Sequence, residues 1–142
     1  MLYGAKAAKS DNSLTLEKML KYAIEDEYLA RQEYEIAISQ FGDEKPFPNI
    51  INSEVNHINW LKGLFEKYNF QIPVDEAHRH LDSPGNFIHS LDLGVEAEIE
   101  NIEMYERFLL EEIPDDVREV FTKLRDASKG HLFVLKKRLE SM

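Results

Sequence analysis

The chain has 142 residues, 43% hydrophobic and 11% aromatic, a single-domain length with enough apolar side chains for one substantial core. Its 27 acidic and 17 basic residues leave a formal net charge of −10, a field that repels nucleic acid phosphates and anionic membranes and attracts cations. The absence of cysteine excludes disulfides, iron–sulfur clusters and thiol nucleophiles, so a bound metal must take oxygen and nitrogen ligands.

Residues 1–13 hold small residues, Lys6, Lys9 and the polar cluster Ser10 to Ser13, which predicts a loosely held tail before a bundle domain over 14–142. A first helix is predicted over 14–41, where Leu20, Ile24, Glu27, Tyr34 and Ile38 recur at helical spacing until Gly42-Asp43. A second, over 47–69, carries Ile50, Glu54, His57, Leu61, Leu64 and Tyr68 on one face; the short connection makes it antiparallel to the first. Residues 70–82 form a long linker. Its His78 and His80 could make an accessory metal site with Asp75, Glu76 or Asp82, although a solvated loop explains them as well.

Ser83-Pro84 predicts the start of a third helix, over 84–112, with Phe87, Leu91, Gly94, Glu98, Ile102, Tyr105 and Leu109 inward. Pro114 and the acidic pair Asp115-Asp116 open a fourth, over 114–140, with Val117, Phe121, Leu124, Ser128, His131 and Leu135 inward. The short, long, short connections predict an all-α four-helix bundle, up-down-down-up, with a long crossover between the second and third helices. No apolar run is long enough to span a membrane, and the start lacks a signal-type apolar stretch, so a cytoplasmic protein is expected.

The four inner stripes are apolar except in their middle turns, where they carry Glu27, Glu54 and His57, Glu98, and Ser128 and His131. Ionised carboxylates in an apolar interior need a compensating cation or shared protons. Coincidence at one depth on four helices favours a metal, held by Glu27, Glu54, His57, Glu98 and His131, over a proton-sharing polar network. Glu54 and His57, at i and i+3, can reach one ion from a single helix face.

The segment Glu27-Tyr28-Leu29-Ala30-Arg31-Gln32-Glu33-Tyr34 resembles the first-helix signature of rubrerythrins, in the ferritin-like superfamily. The resemblance continues through Glu54-Val55-Asn56-His57 and Glu98 with Met104-Tyr105, and covers the bundle from Leu14 to Leu139. It implies a ferritin-like fold in which Glu27 and Glu98 are terminal ligands, Glu54 a bridge, and His57 and His131 nitrogen ligands. Tyr34 and Tyr105 would hydrogen-bond carboxylates across the bundle. The chain departs from the pattern at Ser128, where the family has a second bridging Glu, and at Asn101, where it has an additional carboxylate. It is closest in this respect to small, cysteine-free ferritin-like domains of unassigned function.

Three carboxylates leave one positive charge uncompensated beside two divalent ions. A hydroxide or an exogenous anion could close the gap, or the metal served by Glu98 and His131 binds more weakly than the one served by Glu27, Glu54 and His57. Only if two ions bind equally tightly must Asn101, Asp126 or a bridging anion fill it. The resemblance implies a di-iron centre, with manganese or zinc as alternatives, reacting with dioxygen or peroxide and fed by an external electron donor. The alternative is a non-catalytic bundle with a degenerate or mononuclear site. Pairing into a homodimer along an exposed apolar helix face is compatible with either.

Overall fold

The computed structural model describes residues 1–142 as an all-α bundle of five helices with no strand: α1 (Ala5–Ser10), α2 (Leu16–Phe41), α3 (Phe47–Lys67), α4 (Phe87–Phe108) and α5 (Asp115–Glu140). Four of these correspond to the predicted helices. α2 packs along α3 and α4 along α5, and the two pairs meet through α2 against α4 and α3 against α5. No helix is long and apolar enough to cross a membrane.

Local chemistry sets the ends. Thr15 accepts from the Lys18 amide to cap α2, and Gly42, at φ 85°, closes it. α4 begins three residues later than Ser83-Pro84 suggests, because Gly85 intervenes and Asn86 supplies the cap, accepting from the His89 amide at 2.8 Å. The linker before it is not free: Tyr28 donates to the Pro73 carbonyl, and Arg31 and Gln32 both bond Asp75. His80 stacks on Tyr3 with ring centroids 4.4 Å apart, and Asp75 is taken up by Arg31 and Gln32.

Two apolar clusters fill the bundle. The larger gathers Leu20, Ile24, Leu61, Phe65, Phe108, Phe121 and Leu124; the smaller holds Ala37, Phe47, Ile50, Leu91 and Leu135. Full burial of each large side chain contributes about 1.5–3 kcal/mol. Glu27, Glu54, His57, Glu98, Ser128 and His131 are buried without belonging to either cluster and form a polar layer in an otherwise apolar interior. Trp60 is 44% exposed, its ring edging His57 rather than anchoring the core.

The segment expected as a tail contains α1, which packs against α2 and α4. Its free N-terminal amides are satisfied from α2: Glu25 accepts from Gly4 at 3.1 Å and Asp26 from Ala5 at 2.9 Å. At the other end the Arg107 guanidinium bonds the carbonyls of Ala8 and Asp11, so negative groups face the helix start and a positive group its end. Gly4 makes this approach possible. Its φ is +62°, and a Cβ there would lie 2.6 Å from Asp26 Oδ1 and 3.0 Å from Asp26 Cα. Gly4→Ala is therefore expected to cost about 1–3 kcal/mol of local stability, read as faster amide exchange across residues 5–10. Unchanged exchange there would show that α1 does not depend on this contact.

Candidate metal centre

Each half of the bundle delivers a helix carrying a Glu and a Tyr seven residues apart, Glu27 and Tyr34 on α2, Glu98 and Tyr105 on α4. The phenols cross over. Tyr34 donates to Glu98 Oε1 at 2.6 Å and Tyr105 donates to Glu27 Oε1 at 2.7 Å, each orienting the carboxylate of the opposite helix. Burial, and then the carboxylate each faces, holds both phenols protonated far above the usual range, so they act only as donors here. Gly94 on α4 allows the close packing: a Cβ there would stand 3.2 Å from Leu135 and 3.4 Å from the Tyr34 ring.

α3 supplies the central carboxylate. Glu54 Oε2 lies 3.5 Å from His57 Nδ1, which is also 3.7 Å from Glu27 Oε2. Glu54 Oε1 faces the other way, 3.3 Å from His131 Nδ1, itself 3.3 Å from Glu98 Oε1. The result is two overlapping triads, Glu27–Glu54–His57 and Glu54–Glu98–His131, all buried and with donor atoms within 4.8 Å of one another. The two imidazoles stack, centroids 5.9 Å apart. Ser53, which sequence reasoning overlooked, bonds His57 Nε2 at 3.0 Å and so turns Nδ1 toward the carboxylates. Its position four residues before His57 on the same helix was the available signal.

The spacing of these donors tests whether an ion fits. Contacts of 3.3–3.7 Å are long for hydrogen bonds, which cluster at about 2.7–3.2 Å. Ligands about 2.1 Å from a common ion, at tetrahedral to octahedral angles, stand about 3.0–3.4 Å apart. Glu54 Oε2 and His57 Nδ1 are moreover both buried without a hydrogen-bond partner. Oxygen and imidazole ligands suit iron, manganese or zinc. The 3.3 Å contacts of the Glu54–Glu98–His131 triad fall inside that range, and the 3.5 and 3.7 Å contacts of the Glu27–Glu54–His57 triad just outside it. The donor sets can therefore hold a divalent ion, the latter after a slight contraction.

Without an ion, protons must hold the layer together. Burial, reinforced by the Glu54 charge, raises Glu27 to about 8. Burial would likewise raise Glu54, but the facing groups of Glu27, His131 and His57 outweigh it and keep the carboxyl below its ordinary value. Burial opposes charge on the imidazoles, yet Glu27 and Glu54 raise His57 to about 10, and Glu54 and Glu98 raise His131 to about 9.

Ser128 and Asn101 do not occupy the missing carboxylate position as ligands. Ser128 Oγ donates to Asn101 Oδ1 at 2.6 Å, and Asn101 Nδ2 donates to Asp26 Oδ2 at 2.6 Å. Asp26, one residue off the inner stripe, is thus a fourth buried carboxylate beside the centre; burial raises it to about 7. Asp126, the other candidate from sequence, is exposed and paired with Arg125, so it cannot close the gap.

The fold and site together define an all-α bundle with buried Glu/His clusters able to hold metal. The chain belongs to the family described as an uncharacterized protein domain, DUF2202, whose profile matches residues 17–142. Among solved structures, it is similar to the crystal structure of hypothetical protein MJ0754 from Methanococcus jannaschii DSM 2661. The TM-score is 0.80 at 22% identity, over 92% of this chain and 84% of that one, a likeness of fold. No curated protein matches the chain.

The titrations give the metal-free protein a defined pH dependence. His57 and His131 have raised values, so their contribution is complete below the unfolded value of about 6.5 and is lost as pH rises through about 9 and 10. Glu27 and Asp26, also raised, destabilise the fold progressively as pH climbs from their unfolded values of about 4 to about 8 and 7. Glu54, lowered, loses its contribution only in acid. Denaturant midpoints of chelator-treated protein should peak at about pH 4–5, near the unfolded carboxylate values, and fall toward pH 9. A midpoint that rises over that interval would contradict the proton-held layer.

Proposed function

We propose that this chain is a ferritin-like bundle of rubrerythrin type, up-down-down-up, that binds two divalent metal ions at a shared carboxylate–histidine centre. The observation that carries the reading is Glu54, whose two oxygens each face a different histidine, as a bridge between two ions requires. Glu27 and His57 complete one position, Glu98 and His131 the other. Asp26 supplies the fourth negative charge from outside the ligand set, bringing four carboxylates against two divalent ions. The topology has its own support: Glu27 bonds opposite Tyr105 and Tyr34 opposite Glu98, a register that runs α2 against α4. The bundle domain is read as 14–142, with α1 as an accessory to it.

Iron is the metal we favour, because a di-iron pair supplies Lewis acidity and the electrons for reacting with dioxygen or peroxide; manganese and zinc suit the same ligands. The protein's own part is positional. Tyr34 and Tyr105 hold the terminal carboxylates, Ser53 holds His57, and the flanking apolar clusters keep bulk water away. With no cysteine in the chain, electrons for turnover come from a separate donor. Peroxide consumption by iron-loaded protein with a chemical reductant would establish the oxidoreductase reading; binding without consumption would leave a metal-binding bundle.

Metal stoichiometry tests the centre directly. Wild-type protein is expected to hold about two ions per chain, and Glu98→Gln about one. Glu54→Gln should fall below one, because a neutral amide cannot bridge two cations. Retention of two ions by Glu54→Gln would overturn the bridge.

Loading should also stabilise the fold by RT ln(1 + [L]/Kd), about 2.7 kcal/mol at a hundredfold excess over Kd. Chelation should then lower the melting temperature. An unchanged melting temperature after verified metal removal would contradict a centre that ties four helices together.

A further inference from the structure

One half-buried carboxylate with a sealed oxygen has no part in the centre. Glu33, on α2 six residues beyond Glu27, has an Oε2 that is shut off from solvent and lacks any hydrogen-bond partner. Burial, with Asp26 and Asp82 nearby, raises its carboxyl to about 8, the response of an acid that lacks a cation. Glu33 stands where two voids adjoin. Outside, a cleft of about 290 Å³ is bordered by Asp82, Glu96 and Glu100, with Lys6 and His80 as its only basic side chains. Inside, a cavity of about 10 Å³ is lined by Glu27, Glu54 and Glu98 of the centre. The two share four wall residues, Asp26, Leu29, Glu33 and Ala97.

We propose that this acidic passage between α2 and α4 is the route by which divalent cations reach the centre, with Glu33 as the carboxylate that receives them on the way. The inference rests on the metal-centre reading. The acidic rim of the cleft raises the local concentration of cations at its mouth. The inner cavity has about the volume of one water-sized sphere, so an ion passing Leu29 and Ala97 must shed most of its hydration shell. That step is prohibitive between apolar walls alone. Glu33 offers an unengaged oxygen at that point, releasing its proton as the cation arrives, and the carboxylates of the centre lie on the far side.

The test follows cobalt(II) uptake by metal-free protein through its visible absorption in stopped flow, with occupancy measured separately by equilibrium dialysis. Glu33→Gln keeps size and shape, and is expected to reach the wild-type occupancy and final spectrum about tenfold more slowly, the lower end of electrostatic focusing. Added salt should slow the wild type more than this variant. Ala97→Val, which narrows the passage without changing charge, should also slow uptake. Glu119→Gln, on the exposed side of α5, should not. Equal uptake rates in wild type, Glu33→Gln and Ala97→Val, at equal occupancy, would overturn the passage and leave the centre standing. Reduced equilibrium occupancy in Glu33→Gln would make Glu33 a ligand and likewise overturn the proposal. If wild-type protein takes up no cobalt, the centre itself fails and the passage with it.

Discussion

Three carboxylates in one layer of an apolar interior repel one another, and the architecture around them answers that repulsion. Glu27, Glu54 and Glu98 are each at most 2% exposed, and a buried carboxylate without a partner is among the costliest groups a fold can contain. Each is held by groups from other helices. Tyr105 reaches Glu27 from α4, Tyr34 reaches Glu98 from α2, and His131 on α5 faces Glu54 on α3. The helices thus cannot slide or rotate independently: a one-turn shift of α4 along α2 would separate both phenol–carboxylate pairs and strand four buried polar groups together. The apolar clusters provide most of the favourable free energy, but they tolerate register shifts that the polar layer does not.

The layer has a near two-fold logic that breaks at one place. α2 and α3 contribute Glu27 with Glu54-x-x-His57; α4 and α5 contribute Glu98 with Ser128-x-x-His131. The carboxylate absent at Ser128 is replaced by a chain of hydrogen bonds running outward, from Ser128 to Asn101 to Asp26 and on to the Ala5 amide. A carboxyl group remains near the layer, on Asp26 rather than at position 128. This explains why α1 is ordered. Its first amides are the outer terminus of that chain, and without them Asp26 would keep a buried oxygen with no donor.

Much of this was legible in the sequence because helices report their inner face through periodicity. Glu27, Glu54, His57, Glu98 and His131 interrupt apolar stripes at matching depth, and a charge in a stripe is visible without coordinates. The groups that escaped lie off those stripes. Asp26 is adjacent to an inward residue and becomes buried only because α1 covers it, while α1 itself is too short and too poor in large apolar residues to announce a docked helix. Ser53 looks like any polar helix residue until His57 turns toward it. Glu33 lies off the inner stripe beside Tyr34, and the sealing of its oxygen depends on how α2 meets α4 and the linker. Ser83-Pro84 misled because Gly85 outweighs a good cap-and-proline pair placed one residue before it.

The two explanations of the polar layer, shared protons and bound metal, are best understood as two occupancies of one arrangement. In the metal-free state protons do the neutralising: Glu27 keeps its proton to about 8, and His57 and His131 carry theirs to about 10 and 9. A divalent cation held by this layer would supply positive charge at the same place, and its binding would release those protons because a histidine nitrogen or carboxylate oxygen cannot hold both. The fold is therefore not required to choose. The 3.3–3.7 Å gaps between donors, too long for strong hydrogen bonds, are closer to the spacing that an ion would impose than to the spacing that a proton prefers. By that measure the layer's geometry suits a metal ion better than shared protons.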